Sequence, residues 1–373
     1  MLRITAAKLH RYRLPLRAAW ATAAGGFTVR EGWLLRLETA DGGCAYGDCA
    51  PLPASGTETL AEAATALQTY LGHPNNLVGR QVEEALAALA NPAIGRTPAA
   101  RCAVETALLD LLAQAAGQPL AEYLCGKRCK DQVRVNAAIG SLMQCSRQAL
   151  LAAHAAGFSV VKLKVGTAPV AEEISHLRAI AAHAPDGLQL RLDANRAWRA
   201  AQAAEFLAAC AGLPIEMLEE PLADPDPAAL RRLQAACAFP LAIDESWRNF
   251  DADCYFASPP VRRLVIKPPT LGGLLPALAI ARRANAAGLE CVVTSSVESA
   301  CGVLAAAHLA AALEQDLAKG LASGLASGLA HGLATSSWLA EDNGLAPKIA
   351  GGLLNLPIIN GLGFTPRPEI GFV

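Results

Sequence analysis

From about residue 134 onward, short runs of β-branched and leucine residues alternate with alanine-rich stretches whose apolar positions recur at helical spacing. The runs are RVNAAIG (134–140), SVVKLKVG (159–166), LQLRLDAN (188–195), IEMLEEP (215–221), PLAIDES (240–246), VRRLVIKP (261–268) and LECVVTSS (289–296). VAEEISHLRAIAAHA, PAALRRLQAACA and LPALAIARRANAAG are among the helical stretches between them. Such alternation predicts parallel strands joined by crossover helices. Seven units, with one further short run near HGLAT (331–335), predict an α/β fold, a modified TIM barrel of the (β/α)7β type.

The first 130 residues lack that rhythm. MLRITAAKLHRYRLPL and REGWLLRLETADGGCAYGDCAPLP read as meander strands with a glycine turn at Asp41-Gly42-Gly43. TETLAEAATALQTYL and AARCAVETALLDLLAQAAG read as amphipathic helices. The expected organisation is an N-terminal α+β capping domain over residues 1–130, completed by the tail from about 341 to 373, around a barrel over 131–340. Residues 319–335, KGLASGLASGLAHGLAT, repeat a GLA-plus-one unit. Glycine at every fourth position weakens a helix by about 1 kcal/mol each, so this segment is expected as a loop before the last strand. Its copies compete for one strand position, which leaves that strand's register open.

The formal net charge of −1 leaves no basic surface to hold a nucleic acid, so a small molecule is the expected partner. Eleven cysteines contain no CxxC pair; only the Cys125 to Cys129 spacing hints at a metal or redox site, and reduced buried thiols are the expectation. The chain shows neither a leader pattern at its start nor an apolar run of about 18 residues, so a cytoplasmic protein without membrane contact is expected. Oligomeric state is not readable.

The charged residues change the picture most. Lys162 and Lys164 end the second predicted strand, Asp193 the third, Glu219 and Glu220 the fourth, Asp244 and Glu245 the fifth, and Lys267 the sixth. A carboxylate at the end of an apolar strand is costly unless something pairs with it. In a parallel barrel these ends meet at one face. Asp193, Glu219 and Asp244 recur about one βα unit apart, and three such carboxylates repel one another unless a hard cation sits among them. Oxygen-only ligands point to Mg2+, with Mn2+ as the alternative. Lys164 and Lys267 would face each other across that ion, and Lys162, on the same strand face as Lys164, would depress its pKa. The set suits removal of a proton next to a carboxylate.

Other candidates are weaker. His308 reads as a core histidine, and His331 has no partner carboxylate at a readable spacing. TSSVES (294–299) offers hydroxyls and N–H groups to a substrate carboxylate, although helix capping accounts for Ser299 equally well. Trp198 and Trp338 are expected against the barrel wall rather than at a ligand.

KLKVG, RLDANRAW, LEEP, IDES and IKPPTLGG, in this order, resemble the enolase superfamily and its muconate-lactonizing subgroup. RLDANRAW followed by IKPPTLGG and SSVES looks most like the o-succinylbenzoate synthase family, and GDCAPLPASGTET resembles that subgroup's capping stretch. The resemblance implies that Asp193, Glu219 and Asp244 bind magnesium. It implies that Lys164 removes the α-proton and then helps hydroxide leave, that Lys267 stabilises the enediolate from the opposite side, and that Lys162 tunes Lys164. Arg191, Asn195, Ser295 and Ser296 match positions near a small carboxylate substrate. The implied reaction is dehydration of 2-succinyl-6-hydroxy-2,4-cyclohexadiene-1-carboxylate to o-succinylbenzoate, in menaquinone or phylloquinone biosynthesis. N-acylamino acid racemases, dipeptide epimerases and muconate cycloisomerases share most of these residues. Epimerases grip an α-ammonium with a DxD pair near the last strand; here Glu341 and Asp342 are adjacent. A catalytically silent, anion-binding barrel is the competing class, and the intact set of acids and lysines counts against it. One departure is Gly47-Asp48-Cys49 where the subgroup has GE, a shorter acid that bears on contacts between cap and barrel.

Overall fold

The computed structural model describes residues 2–22, 25–72, 76–89, 96–317 and 328–372. The chain begins with an antiparallel sheet of β1 (Ile4–Thr22), β2 (Gly25–Thr39) and β3 (Cys44–Cys49). Along β2 buried and less buried positions alternate, as a sheet with one covered face requires. The turn at Asp41-Gly42-Gly43 forms as expected, with the Gly42 N–H donating to Thr39 O. Three helices follow: α1 (Leu60–Leu71), α2 (Val82–Ala88) and α3 (Pro98–Ala115). A reciprocal cap starts α1, in which Thr59 and Glu62 each bond the other's backbone N–H. α3 lies directly on β3 at Gly47, where any Cβ would collide with the Ala103 carbonyl.

After α4 (Leu120–Cys125) the chain enters the barrel. β4 (Gln132–Arg134) precedes the staves β5 (Ala137–Ser141), β6 (Val160–Lys164), β7 (Gln189–Asp193), β8 (Ile215–Glu219), β9 (Leu241–Ile243), β10 (Arg263–Ile266) and β11 (Glu290–Val293). These pair in parallel in that order. The intervening helices are α5 (Arg147–Ala155), α6 (Val170–Ala181), α7 (Ala200–Ala209), α8 (Pro227–Ala235), α9 (Ala252–Ala257), α10 (Pro268–Leu271), α11 (Leu274–Ala286) and α12 (Ala300–Leu317). An eighth stave closes the ring at His331 and Gly332, which bridge Val135 on one side and Thr294 on the other. The strand expected near HGLAT is therefore present; residues 319–327 of the repeat lie outside the described residues.

Two differences from the sequence pattern have physical reasons. The run 134–140 is two strands, because Val135 and Asn136 leave the line of β4 to pair with the eighth stave. The six staves from β6 to β11 also end two or three residues before their apolar runs do. Asn195, Arg196, Glu220 and Val297, all with positive φ, follow β7, β8 and β11, and turn the chain out of the ladder at the barrel mouth.

The tail divides its contacts. β12 (Ile349–Ala350) and β13 (Leu353–Asn355) form a hairpin whose second strand pairs with β4. Farther on, Leu362 N–H donates to Asp110 of α3, and Phe364 and Phe372 pack on Tyr46 of β3. His308 of α12 is buried between these parts. Its Nδ1 accepts from Ala121 N–H at 3.1 Å, and Nε2–H donates to Leu362 O at 3.0 Å. Burial lowers its pKa from 6.5 to about 4. The unfolded chain thus binds this proton more readily, so stability is full above pH 6.5 and falls as pH drops towards 4. The loss is about 3 kcal/mol. Urea melts at pH 7 and 4.5 should show a smaller pH effect in His308→Gln, whose amide can keep both bonds; an equal effect in both proteins would contradict this.

Candidate active site

The period-two alternation of β6 sends Val161 and Leu163 into the buried core and Lys162 and Lys164 into the barrel. Register then sets their neighbours: Lys162 is opposite Arg191, Lys164 opposite Asp193, and Asp193 opposite Glu219. Asp244 and Lys267 stand one residue beyond β9 and β10. Three ammonium groups and three carboxylates thus meet at the mouth. Lys162 Nζ lies 2.8 Å from Asp193 Oδ2 and 2.6 Å from Glu219 Oε2. Lys164 Nζ donates to Asp193 Oδ2 at 2.6 Å and to Asn195 Oδ1 at 2.7 Å. Lys267 is paired with Asp244. Because β6 and β10 are the second and sixth of eight staves, Lys164 and Lys267 approach the cavity from opposite sides.

The electrostatics follow from burial and partners. Burial pushes the Lys164 pKa below its ordinary value, with Lys162 adding to the shift and Asp193 resisting it. Burial also works against the charge on Lys267, but Asp244, Glu245 and Glu219 outweigh it and hold its pKa up. Asp193 resists the effect of burial through Lys162 and Lys164 and is held far below the usual carboxylate range. Glu219 is pushed up by burial and by Asp193, and its Oε1 is buried without a hydrogen-bond partner. An all-oxygen donor set in which one carboxylate repels the next, with an orphaned oxygen on Glu219, fits a hard divalent cation. Among the described residues no three acidic, histidine or cysteine side chains are arranged around one point as ligands, because the ammoniums of Lys162 and Lys267 hold these carboxylates instead.

Above these groups lies a cavity of about 510 Å³. Asn195, Ser295 and Ser296 line it, as do Glu245 and the cap residues Trp20 and Phe27. Arg191 does not, which corrects the reading of it as a substrate contact. It shares a strand face with Asp193 but sits one layer deeper, donating to Glu216 Oε2 at 2.8 Å and Asn136 Oδ1 at 3.0 Å. Glu216 also binds Arg263, which binds Glu290, so a buried ionic chain plugs the barrel below the site. Two other expectations change. Trp338 lines the cavity, edge-on to Trp20 with ring centroids 4.8 Å apart, whereas Trp198 packs on Phe206 as expected. His331 does have a carboxylate neighbour, with Nε2 3.5 Å from Glu314 Oε1.

One residue escaped the sequence reading, and two that it named show their partners only in the fold. The Trp20 ring lies 5.9 Å from Lys164 Nζ, a contact that only the folded cap creates. Glu220, next to Glu219, turns away from the mouth and accepts from Ser246 Oγ and from the N–H groups of Asp244 and Ser246; burial raises its pKa to about 8. Asp48, despite its shorter side chain, reaches the barrel: it accepts from Ser299 N–H and Oγ, and from Tyr12 within the cap.

A family model described as enolase C-terminal domain-like matches residues 144–370, more than half of the chain. The chain belongs to the enolase superfamily. A second model, described as MenC, N-terminal domain, matches residues 4–93. Its superfamily relatives are of the muconate-lactonizing type. An aromatic dipeptide epimerase from Herpetosiphon aurantiacus is 30% identical over 304 residues, covering 80% of this chain and 83% of that protein. An o-succinylbenzoate synthase from Klebsiella pneumoniae is 28% identical over 308 residues, 82% of this chain and 86% of its own. Among solved superfamily structures, a dipeptide epimerase from Enterococcus faecalis, complexed with Mg and the dipeptide L-Leu-L-Tyr, has a TM-score of 0.83 at 26% identity, covering 97% of this chain and 99% of that one. No helix among the described residues is long and apolar enough to cross a membrane.

Proposed function

We propose that this superfamily member is a magnesium-dependent o-succinylbenzoate synthase. The reading rests on Lys164, a buried ammonium of lowered pKa held by Asp193 and Asn195 at the edge of a cavity whose far side carries Lys267. Asp193, Glu219 and Asp244 would hold the ion, which when bound supplies positive charge against the charge that develops on a substrate carboxylate.

The chain's own residues do the rest. Neutral Lys164 takes the proton α to the carboxylate and, as its ammonium, returns that proton to the departing hydroxyl, so that water leaves and the ring becomes aromatic. Lys162 keeps a second positive charge beside Lys164 and favours the neutral base at the start. Lys267, held charged by Asp244, presents its ammonium to the opposite face of the substrate. Trp20, Trp338 and Phe27 give the cavity an aromatic wall suited to a ring and limit the access of water.

Epimerisation of dipeptides or racemisation of N-acylamino acids is the second reading. The 30% identity to a dipeptide epimerase and the placement of lysines on both faces favour it. Against the dipeptide form, Glu245 and Asp193 are the carboxylates on the cavity wall among the described residues, and the eighth stave runs into Ala334, Thr335 and Ser336. Asp342 is engaged in capping α12 through Ala300 N–H, so it does not offer itself to an α-ammonium.

The deciding experiment follows product absorbance with Mg2+, with Mn2+ and after EDTA, beside NMR of α-proton exchange in dipeptides and N-succinyl amino acids in D2O. Mg2+-dependent dehydration with kcat of about 1–1,000 s⁻¹ is expected. A higher kcat/KM for dipeptide epimerisation would overturn the assignment. Absence of every turnover, and of any Mg2+ effect on the melting temperature, would leave a silent barrel.

A further inference from the structure

One guanidinium joins the cap to the cavity wall. Arg30 of β2 is buried, and it donates to three backbone carbonyls: Ala50 O at 2.8 Å, Pro51 O at 3.0 Å and Val297 O at 3.2 Å. It also lies 5.5 Å over the ring of Phe27. The first two carbonyls lead into Leu52 and Pro53 of the cap, and the third belongs to the turn after β11; Phe27, Leu52, Pro53 and Val297 all line the cavity. A single planar fork thus joins the cap segment 50–53 to the turn after β11 at the cavity wall. Only arginine has donors in a fork of this reach.

The barrel segment it grips is under strain. Val297 has a φ of 62°, in a left-handed region that a β-branched residue rarely enters without outside support. Besides Arg30, the turn is held by Glu298, whose Oε2 accepts from Ser296 N–H at 2.6 Å. Just before it, Thr294 Oγ1 and Ser296 Oγ are buried in the cavity wall and have no hydrogen-bond partner. Unpaired buried hydroxyls are costly, and a ligand's polar atoms would satisfy them. Their placement depends on the turn, and the turn depends on Arg30.

We propose that Arg30 is a positioning residue for substrate binding: through the Ala50, Pro51 and Val297 carbonyls it sets the cap against the strained turn and so fixes the polar wall that receives the substrate. Arg30 touches neither the substrate nor the reacting atoms. The kinetic part of this inference rests on the o-succinylbenzoate synthase reading; the clamp itself does not.

The test uses the whole chain with Arg30→Met, Arg30→Lys and Val297→Gly. The last variant relieves the strain but also takes the Val297 side chain out of a buried cluster with Tyr12, Leu14 and Leu339, so its melting temperature is expected to fall. For Arg30→Met, KM is expected to rise about tenfold or more, as when hydrogen bonds to a charged group are lost, with a smaller change in kcat, whereas Val297→Gly keeps the carbonyl that Arg30 grips and should change KM less. Arg30→Lys should recover the melting temperature more than it recovers KM. Hydrogen exchange by mass spectrometry should quicken in residues 50–55 and 294–299 of Arg30→Met whatever the substrate. A folded Arg30→Met with KM within twofold of the parent, or unchanged exchange in both segments, would overturn the proposal. A parent protein without dehydratase activity would sink the functional reading alone, since the exchange measurement still decides the clamp.

Discussion

On the proposed dehydratase reading, Lys164→Ala is expected to lower kcat for o-succinylbenzoate formation by about 10³- to 10⁴-fold, the upper part of the range that a positioned general base contributes. The variant should fold, because Lys162 still neutralises Asp193 at 2.8 Å after Lys164 is gone. KM should change little, since the lost interaction belongs to the reacting proton rather than to the bound substrate. Steady-state absorbance assays at saturating Mg2+ decide the matter. Turnover within tenfold of the parent would remove Lys164 as the base and move attention to Lys267.

Arg191→Met is expected to act on the fold instead. The substitution leaves Glu216 with Arg263 alone and strips Asn136 Oδ1 of its donor, inside a plug where Arg191 is fully buried. Removing one partner of a buried ion pair costs about 3–5 kcal/mol. The urea midpoint should fall accordingly, while KM per folded molecule stays near that of the parent. A variant with an unchanged midpoint and a raised KM would return Arg191 to the substrate.

These two residues mark how far the chain could be read before folding. Asp193, Glu219 and Asp244 announced themselves because a parallel barrel brings every stave end to one face, and the stave interval is visible as an apolar period. Lys162 and Lys164 followed from alternation along one strand. The resemblance alone placed Arg191 near a substrate: a period of two tells which face a side chain takes, but not its depth, and two residues separate the layer of lysines and acids from the ionic plug. Trp20, Trp338 and Arg30 were illegible for another reason. Their neighbours come from the cap or the far end of the chain, and no local pattern records a contact across more than 100 residues. Glu220 and Val297 illustrate a third limit, since a left-handed turn in a residue other than glycine leaves no compositional mark.

His331 gives the barrel seam an address. Its backbone bridges Val135, its Nδ1 accepts from Val293 N–H at 3.0 Å, and Nε2 lies toward Glu314, so the stave is recognised by one imidazole rather than by its count from α12. Leucine, alanine and glycine neighbours are interchangeable among the GLA copies; the histidine is not. Copies gained or lost upstream would then be absorbed before the latch closes, and such a chain could lengthen by slippage of its coding repeat without moving a single group at the barrel mouth.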